Sequence, residues 1–433
     1  MDNNMAIILR IALSLLVVIS PVTPAIAQDT VAFDAPATLS NSEHFLAQRQ
    51  GRFLLVSLKT PHQVLSTSAI NGGQSSTINY LVNHQSMEAR GDQLRYMQQI
   101  NLNRQQYHQT IASQLGVAPE AMALMGTAAN MQQLARVEKH FADLSVTVLA
   151  TAGVKGNAQR AGDPTQWYQH TGAGKVVNKP VPAASKQQQG SAQITDNQGT
   201  INIMVLINRQ LLAGAQAKIA VLATEAKSAA LAELAISSQS SPFLATGTGT
   251  DQLIIASPLG STKPPLPSAS GHLKLGELVG SAVREAVLKA LRWQNALVPS
   301  AAGNVVHALA RFGLTKERLL AGMQQHLLAD DFKLASDNLR SLTFDSRASA
   351  AAYAYAELLN RIQFGNLPAD IAPEALLDQA SSVAVAVSAK PLRWPAFWQA
   401  LSVVPVTELD RNSQAIDLFI AAMATGWQAK WSD

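Results

Sequence analysis

No cysteine occurs anywhere in the 433 residues. That excludes disulfides, thiolate metal sites and a thiol nucleophile, and it also excludes a lipid-modified cysteine behind an export signal. Charge is thin and scattered: the formal net charge is +4, and no basic run exists, so no nucleic-acid footprint is expected. There is no phosphate-binding G-x-x-x-x-G-K-[ST] loop, no dinucleotide glycine fingerprint behind a first strand, no H-E-x-x-H and no G-x-S-x-G elbow. The nine histidines show no metal-ligand spacing, so no protein-bound metal or cofactor is expected. Apolar runs long enough to cross a bilayer are missing too.

The longest apolar run lies at the start of the chain. Residues 1–27 read as a secretory signal peptide. Arg10 precedes the apolar run Ile11–Ser20, Pro21 and Pro24 break it, and Ala25-Ile26-Ala27 fits the A-x-A cleavage pattern before Gln28. An uncleaved anchor is the alternative, but about ten apolar residues before a proline fall well short of a bilayer span of roughly twenty. The expected mature protein is exported and periplasmic, with no stable membrane insertion after cleavage.

Beyond the signal, 28–295 reads as α/β, a mixed sheet with flanking helices, and 296–433 as an α-helical accessory domain. Strand-like runs occur at 53–58, 144–150, 201–207 and 253–256, rich in Leu, Ile and Val. The run at 201–207 is nearly continuous and apolar, as in a strand buried on both faces. Helical periodicity is expected over about 91–115, 119–140, 213–236 and 273–293. Residues 171–198 and the proline-dense 257–271 read as loops. A final helix places Ile416, Phe419, Ile420, Met423, Trp427 and Trp431 on one face.

Five polar, glycine-containing segments adjoin these strands, where a backbone can approach a ligand closely. The first holds Asn71-Gly72-Gly73, ordinarily a tight turn, followed by His84, either an acid–base group or a histidine satisfied by a backbone carbonyl. In the second, Asn157, Arg160 and Asp163 follow a strand; the arginine offers a donor fork to amides or carboxylates, or a structural ion pair with Asp163. The third contains Asn202, which needs a partner inside an apolar strand, with Glu225 and Lys227 downstream on a helix. The fourth, Thr246-Gly247-Thr248-Gly249-Thr250-Asp251, combines hydroxyls and unhindered N–H groups, as an oxyanion cradle does, although Gly-Thr repeats also occur in inert linkers. The fifth places His272 ahead of the strongest helix, a position that favours a neutral imidazole.

In this order the segments resemble the adenosylcobinamide amidohydrolases. The resemblance covers roughly 50–295 and includes Ser66 to Gly73, Asn83-His84, Thr127-Ala128-Ala129, Thr151 to Asp163, Gly199 to Asn202, Thr224 to Lys227, Ala245 to Asp251 and His272 to Gly280. It implies hydrolysis of the amide between the cobyric acid macrocycle and its aminopropanol arm, in corrinoid salvage. The substrate brings its own cobalt. The export signal and the helical C-terminus depart from the family pattern, so the adenosylated state and completeness of the corrinoid stay open.

On that reading, water activated by His84, Glu225 or Asp251 is the expected nucleophile, with His272 as an alternative base. A threonine within 246–250 is a further candidate nucleophile. Asn71, Gly72, Gly73, Asn157, Arg160, Asp163, Asn202, Lys227, Thr246, Thr248 and Thr250 are the expected substrate contacts. Export implies corrinoid uptake proteins as a partner class. The rival readings are an exported corrinoid carrier without catalysis, and an amidohydrolase for another amide such as one in the cell wall.

Overall fold

The computed structural model describes residues 36–86, 103–165, 167–170, 173–176, 199–406 and 413–431. The expected signal peptide, part of the first expected helix and most of the expected 171–198 loop lie outside them. Strands β1 (Ala37–Asn41), β2 (Phe45–Gln50), β3 (Phe53–Leu58), β4 (His62–Ser66), β5 (Gly73–Ser75) and β6 (Tyr80–Gln85) come first. Helix α1 (Arg104–Leu115) precedes β7 (Met122–Thr127), β8 (Ala135–Phe141), β9 (Leu144–Ala152), β10 (Ala158–Gln159), β11 (Trp167–His170), β12 (Ala173–Val176) and β13 (Ile201–Ile207). Helix α2 (Ala213–Glu233) leads to β14 (Gly247–Thr248), β15 (Gln252–Pro258) and helix α3 (Lys274–Asn295).

Most of the strands lie in two large mixed sheets rather than one, while β10 with β14 and β11 with β12 form separate two-stranded ribbons. One large sheet runs β1-β2-β3-β6-β7 and the other β5-β4-β15-β13-β9-β8. Each is antiparallel except for one parallel pair, β6 with β7 and β13 with β15. The inner faces meet through Leu54, Leu81, Met125, Leu149, Met204 and Ile254. Helix α1 covers the outside of the first sheet through Ile111 and Ala112. Helices α2 and α3 cover the outside of the second, giving four layers in the order helix, sheet, sheet, helix.

The periodicity explains α3. Leu275, Leu278, Val279, Ala282, Val283, Ala286, Val287, Ala290 and Leu291 recur at three- and four-residue steps and are all buried. Each large aliphatic among them contributes about 2 kcal/mol of burial. Alanines 215, 223, 226 and 230 face inward on α2, which lets the two helices approach closely.

Residues 119–140 form no long helix. Pro119–Ala121 and Met131–Gln133 are single 3₁₀ turns around β7, and β8 follows. Met-Ala-Leu-Met favours helix in isolation, but here parallel pairing with β6 and burial on both faces override that preference.

From Pro299 the described chain is helical: α4 (Pro299–Ala302), α5 (Val305–Leu309), α6 (Lys316–His326), α7 (Ala329–Asp337), α8 (Leu339–Thr343), α9 (Ser346–Gln363), α10 (Ala372–Ser388), α11 (Trp394–Leu401) and α12 (Ser413–Trp431). They share their own core. Gly426 lets α12 press on α10, since a Cβ there would stand 2.6 Å from the Ala384 carbonyl oxygen. Ile416, Phe419, Ile420, Met423 and Trp427 are buried as the stripe predicts, while Trp431 is exposed. His307 Nε2 lies 2.8 Å from the carbonyl of Leu234, just past the end of α2. No helix among the described residues is long and apolar enough to cross a membrane.

Candidate active site

The core between the sheets ends in a polar layer. The ladder sets Thr151 of β9, Asn202 of β13 and Gln252 of β15 side by side, and partners in register share a face. Opposite them, Asn83 of β6 donates to Thr151 Oγ1 at 2.9 Å and accepts from Asn202 Nδ2 at 2.9 Å. Asn202 Nδ2 also donates to the Gly126 carbonyl at 2.9 Å, while the Gly126 N–H donates to Gln252 Oε1 at 3.0 Å. Asn202 is fully buried, and its Oδ1 has no hydrogen-bond partner among the described residues. A buried acceptor left unpaired costs about 1–3 kcal/mol.

Adjoining this layer, the threonine–glycine segment folds into a tight turn around Asp251. Asp251 Oδ1 accepts from the Ile201 N–H at 3.0 Å and the Thr248 hydroxyl at 2.5 Å. Its Oδ2 accepts from the Thr248 N–H at 3.0 Å and from Lys227 Nζ at 2.5 Å. The Asp251 and Lys227 side chains keep only 14% and 12% of their surface exposed, so charge neutralises charge largely out of water. Gly247 leaves room for this pair, because a Cβ there would collide with Asp251 Oδ2 and stand 2.7 Å from Lys227 Nζ, so both ends would have to shift.

A second wall comes from the β9–β10 connection. Asn157 Nδ2 donates to the Gly199 carbonyl at 2.7 Å and to Thr250 Oγ1 at 3.2 Å. The Thr200 and Thr250 hydroxyls are hydrogen-bonded to each other. Gly199 lies against Gly153, whose carbonyl oxygen would be 2.6 Å from any added Cβ. The Ala161 N–H donates to Thr246 Oγ1 at 2.8 Å, and β10 pairs with β14, so wall and turn are one piece. At the rim, Gly249 is exposed, and a Cβ on it would approach Gln159 Oε1 at 3.1 Å.

The structure thus gathers Asn157, Thr246, Thr248, Thr250, Asp251 and Lys227, with Asn202 in the layer beneath. Other candidates lie apart from this group or are engaged elsewhere. Asn83 faces the polar layer, and strand alternation turns His84 to the opposite face. There His84 stacks on Phe53 at 4.5 Å and its Nδ1 lies 2.7 Å from the Tyr107 hydroxyl. Burial, with a smaller contribution from Arg52, pushes its pKa down to about 3. Glu225 is exposed, and His272 is exposed two residues ahead of α3. Asn71 takes a left-handed conformation (φ 54) and donates to the carbonyls of Pro119 at 2.8 Å and Met122 at 3.0 Å. Gly72 abuts the Ser68 carbonyl and Gly73 has φ 84, so all three shape a turn. Arg160 and Asp163 meet through the arginine's backbone N–H, at 2.9 Å. The guanidinium lies instead over the ring of Phe243.

Thr200, Thr151, Asn83, Gln252 and Gly249 complete the site without having been singled out individually in the sequence. Once Asn202 is placed in a strand, the two-residue period points to its row mates; nothing local announces Gln252. A depression of about 320 Å³ lies away from this chemistry, near the far end of β13, lined by Ser40, Arg136, Thr147 and Asn208 among others. No group of three His, Asp or Glu side chains suited to a metal ion is found among the described residues.

Comparison with known proteins bears on the same region. The profile of the adenosylcobinamide amidohydrolase family matches residues 36–299. An uncharacterized protein of Methanocaldococcus jannaschii is 32% identical over 239 residues, which is 55% of this chain and 85% of that protein. The family match takes in both sheets, α1 to α3 and every residue of the gathered cluster.

Proposed function

Because the chain belongs to the adenosylcobinamide amidohydrolase family, we propose that it hydrolyses the amide between the cobyric acid macrocycle and the aminopropanol arm of adenosylcobinamide or a related corrinoid, in salvage or remodelling. The observation that carries this reading is the line Thr248–Asp251–Lys227, with 2.5 Å at each step. A hydroxyl that already donates to a carboxylate needs no rearrangement to lose its proton.

The chemistry follows from that line. Thr248 Oγ1 attacks the amide carbonyl carbon as its proton passes to Asp251 Oδ1, and Lys227 balances the carboxylate from the other side. The developing oxyanion falls to the backbone N–H of Gly249, the exposed residue that follows Thr248, since a donor that meets charge only in the transition state favours turnover. The C–N bond breaks, and aminopropanol leaves with the proton from Asp251. Water then hydrolyses the threonyl ester, releasing the macrocycle as a carboxylate. Asn157 and Thr250 line the approach and supply an amide and a hydroxyl to substrate side chains. Cobalt enters only with the substrate. The pattern in 1–27 supports placing this reaction in the periplasm, beside corrinoid uptake proteins.

One observation favours a carrier instead: four donors already surround Asp251, as they would around a purely structural carboxylate. The two readings separate when the purified protein is incubated with adenosylated, unadenosylated and complete corrinoids and the products are weighed by mass spectrometry. Cobyric acid plus free aminopropanol is the expected result. Tight binding with no cleavage of any member would establish the carrier.

A further inference from the structure

The helical region lies beyond the family match, yet it touches the wall of the candidate site. Phe364, at the C-terminal cap of α9, stacks on Phe243 with ring centres 5.1 Å apart and planes within 6°. The Arg160 guanidinium lies over both rings, at 4.5 Å from Phe243 and 5.7 Å from Phe364. Arg160 directly follows β10, whose partner strand β14 is Gly247–Thr248. The Thr246 N–H donates to the Gln159 carbonyl at 3.0 Å, and Thr246 Oγ1 receives the Ala161 N–H. An unbroken line of contacts therefore runs from α9 through two aromatic rings and one arginine to the turn that holds Thr248. The His307 contact gives a second tie, near the end of the helix that carries Lys227.

The geometry points to Phe364 as a positioning residue: the C-terminal helices brace the 158–163 wall, and through it the Thr246–Asp251 turn. This rests on the reading that the turn is the reaction centre. Without Phe364 the Arg160 guanidinium keeps only the Phe243 ring beneath it and regains part of its rotamer freedom, and the adjoining backbone has glycines at 156 and 162 with φ 82 and 93, a conformation that few other residues would hold. Loss of the brace lowers the fraction of molecules in which Thr248 and Asp251 are aligned, so it acts on turnover more than on substrate capture.

The test uses the full chain with Phe364→Ala, Phe364→Leu and Phe364→Tyr. Backbone amide exchange is followed over 157–163 and 246–250, and kcat and KM are measured on the corrinoid that wild type cleaves. The alanine and leucine variants should exchange about fivefold faster in both segments and lose about fivefold in kcat, with KM within about twofold, as expected for one lost aromatic–cation contact. Tyrosine, which restores the ring, should restore both. Leu401→Ala, a buried core change in α11, should leave both unchanged below its own unfolding transition. Unchanged exchange in Phe364→Ala, or an equal kcat loss in Leu401→Ala, overturns the brace. Faster exchange alongside a wild type that cleaves no corrinoid upholds the brace and defeats only the proposed reaction.

Discussion

Replacing Asp251 by Asn keeps the shape of the turn and removes its charge. The amide can still present an oxygen to Lys227 Nζ and the Thr248 N–H, with its NH2 turned toward the Thr248 hydroxyl. That hydroxyl must then accept where it had donated, and the Ile201 N–H loses its acceptor. Breaking a buried ion pair by removing one member typically costs about 3–5 kcal/mol. The slight exposure of both side chains puts the expectation near the lower end, about 3 kcal/mol. For a unit of this size that is a fall of roughly 6–12 °C in melting temperature. Lys227→Met, which strands the carboxylate, should cost a similar amount. The double variant should cost much less than the sum, with a coupling energy of about 2–3 kcal/mol. Thermal unfolding gives all four corners of this cycle, and product analysis gives kcat on the same samples. Loss of the proton acceptor should lower kcat by about two orders of magnitude or more in Asp251→Asn. Coupling below about 0.5 kcal/mol, or an Asp251→Asn enzyme with wild-type turnover, would refute the relay.

Thr248→Val removes the proposed nucleophile while keeping its volume; kcat should fall at least about a hundredfold with corrinoid affinity nearly unchanged, read by absorbance titration, and equal loss of both would make the turn a general binding element. His84 is neutral in the folded state at neutral pH, its pKa held at about 3 against about 6.5 when unfolded. The stability this contributes is fully present above pH 6.5 and is lost as pH falls toward 3, by up to about 1.4 kcal/mol per unit. Urea midpoints between pH 7 and 4 should therefore fall less steeply in His84→Gln, and parallel slopes would remove His84 from the account. Finally, the mature protein recovered from the periplasm should begin at Gln28; an intact Met1 in a cytosolic pool would contradict the export reading.

Much of this architecture is legible in the sequence because the signals are local. The β-branched runs of β9, β13 and β15 and the period of α3 need no distant partner to be seen. Residues 119–140 mislead because Met, Ala and Leu serve helix or buried strand equally, and only the pairing of β7 with β6 decides. The division into two sheets is equally non-local. At the site, the composition of Thr246–Asp251 stands out by itself, but the Lys227–Asp251 contact spans 24 residues and the Asn83–Asn202 contact 119, so the residues could be singled out but neither pairing could be named beforehand. His84 illustrates the opposite case: strand alternation alone would have turned it away from its neighbour Asn83.

Asn202 also bears on how the chain finds a single fold. Ile201 to Ile207 is apolar on both faces except at this position, and hydrophobic patterning cannot then distinguish one strand register from the next. A slip of one residue would exchange the two cores, carrying Ile203 and Val205 between the sheets and Met204 and Leu206 under the helices, with little change in buried area. It would also drive the Asn202 amide among the side chains of α2 and α3, away from Asn83 and Gly126. One carboxamide thus separates two otherwise near-degenerate packings, through a partner on β6 more than a hundred residues earlier in the chain.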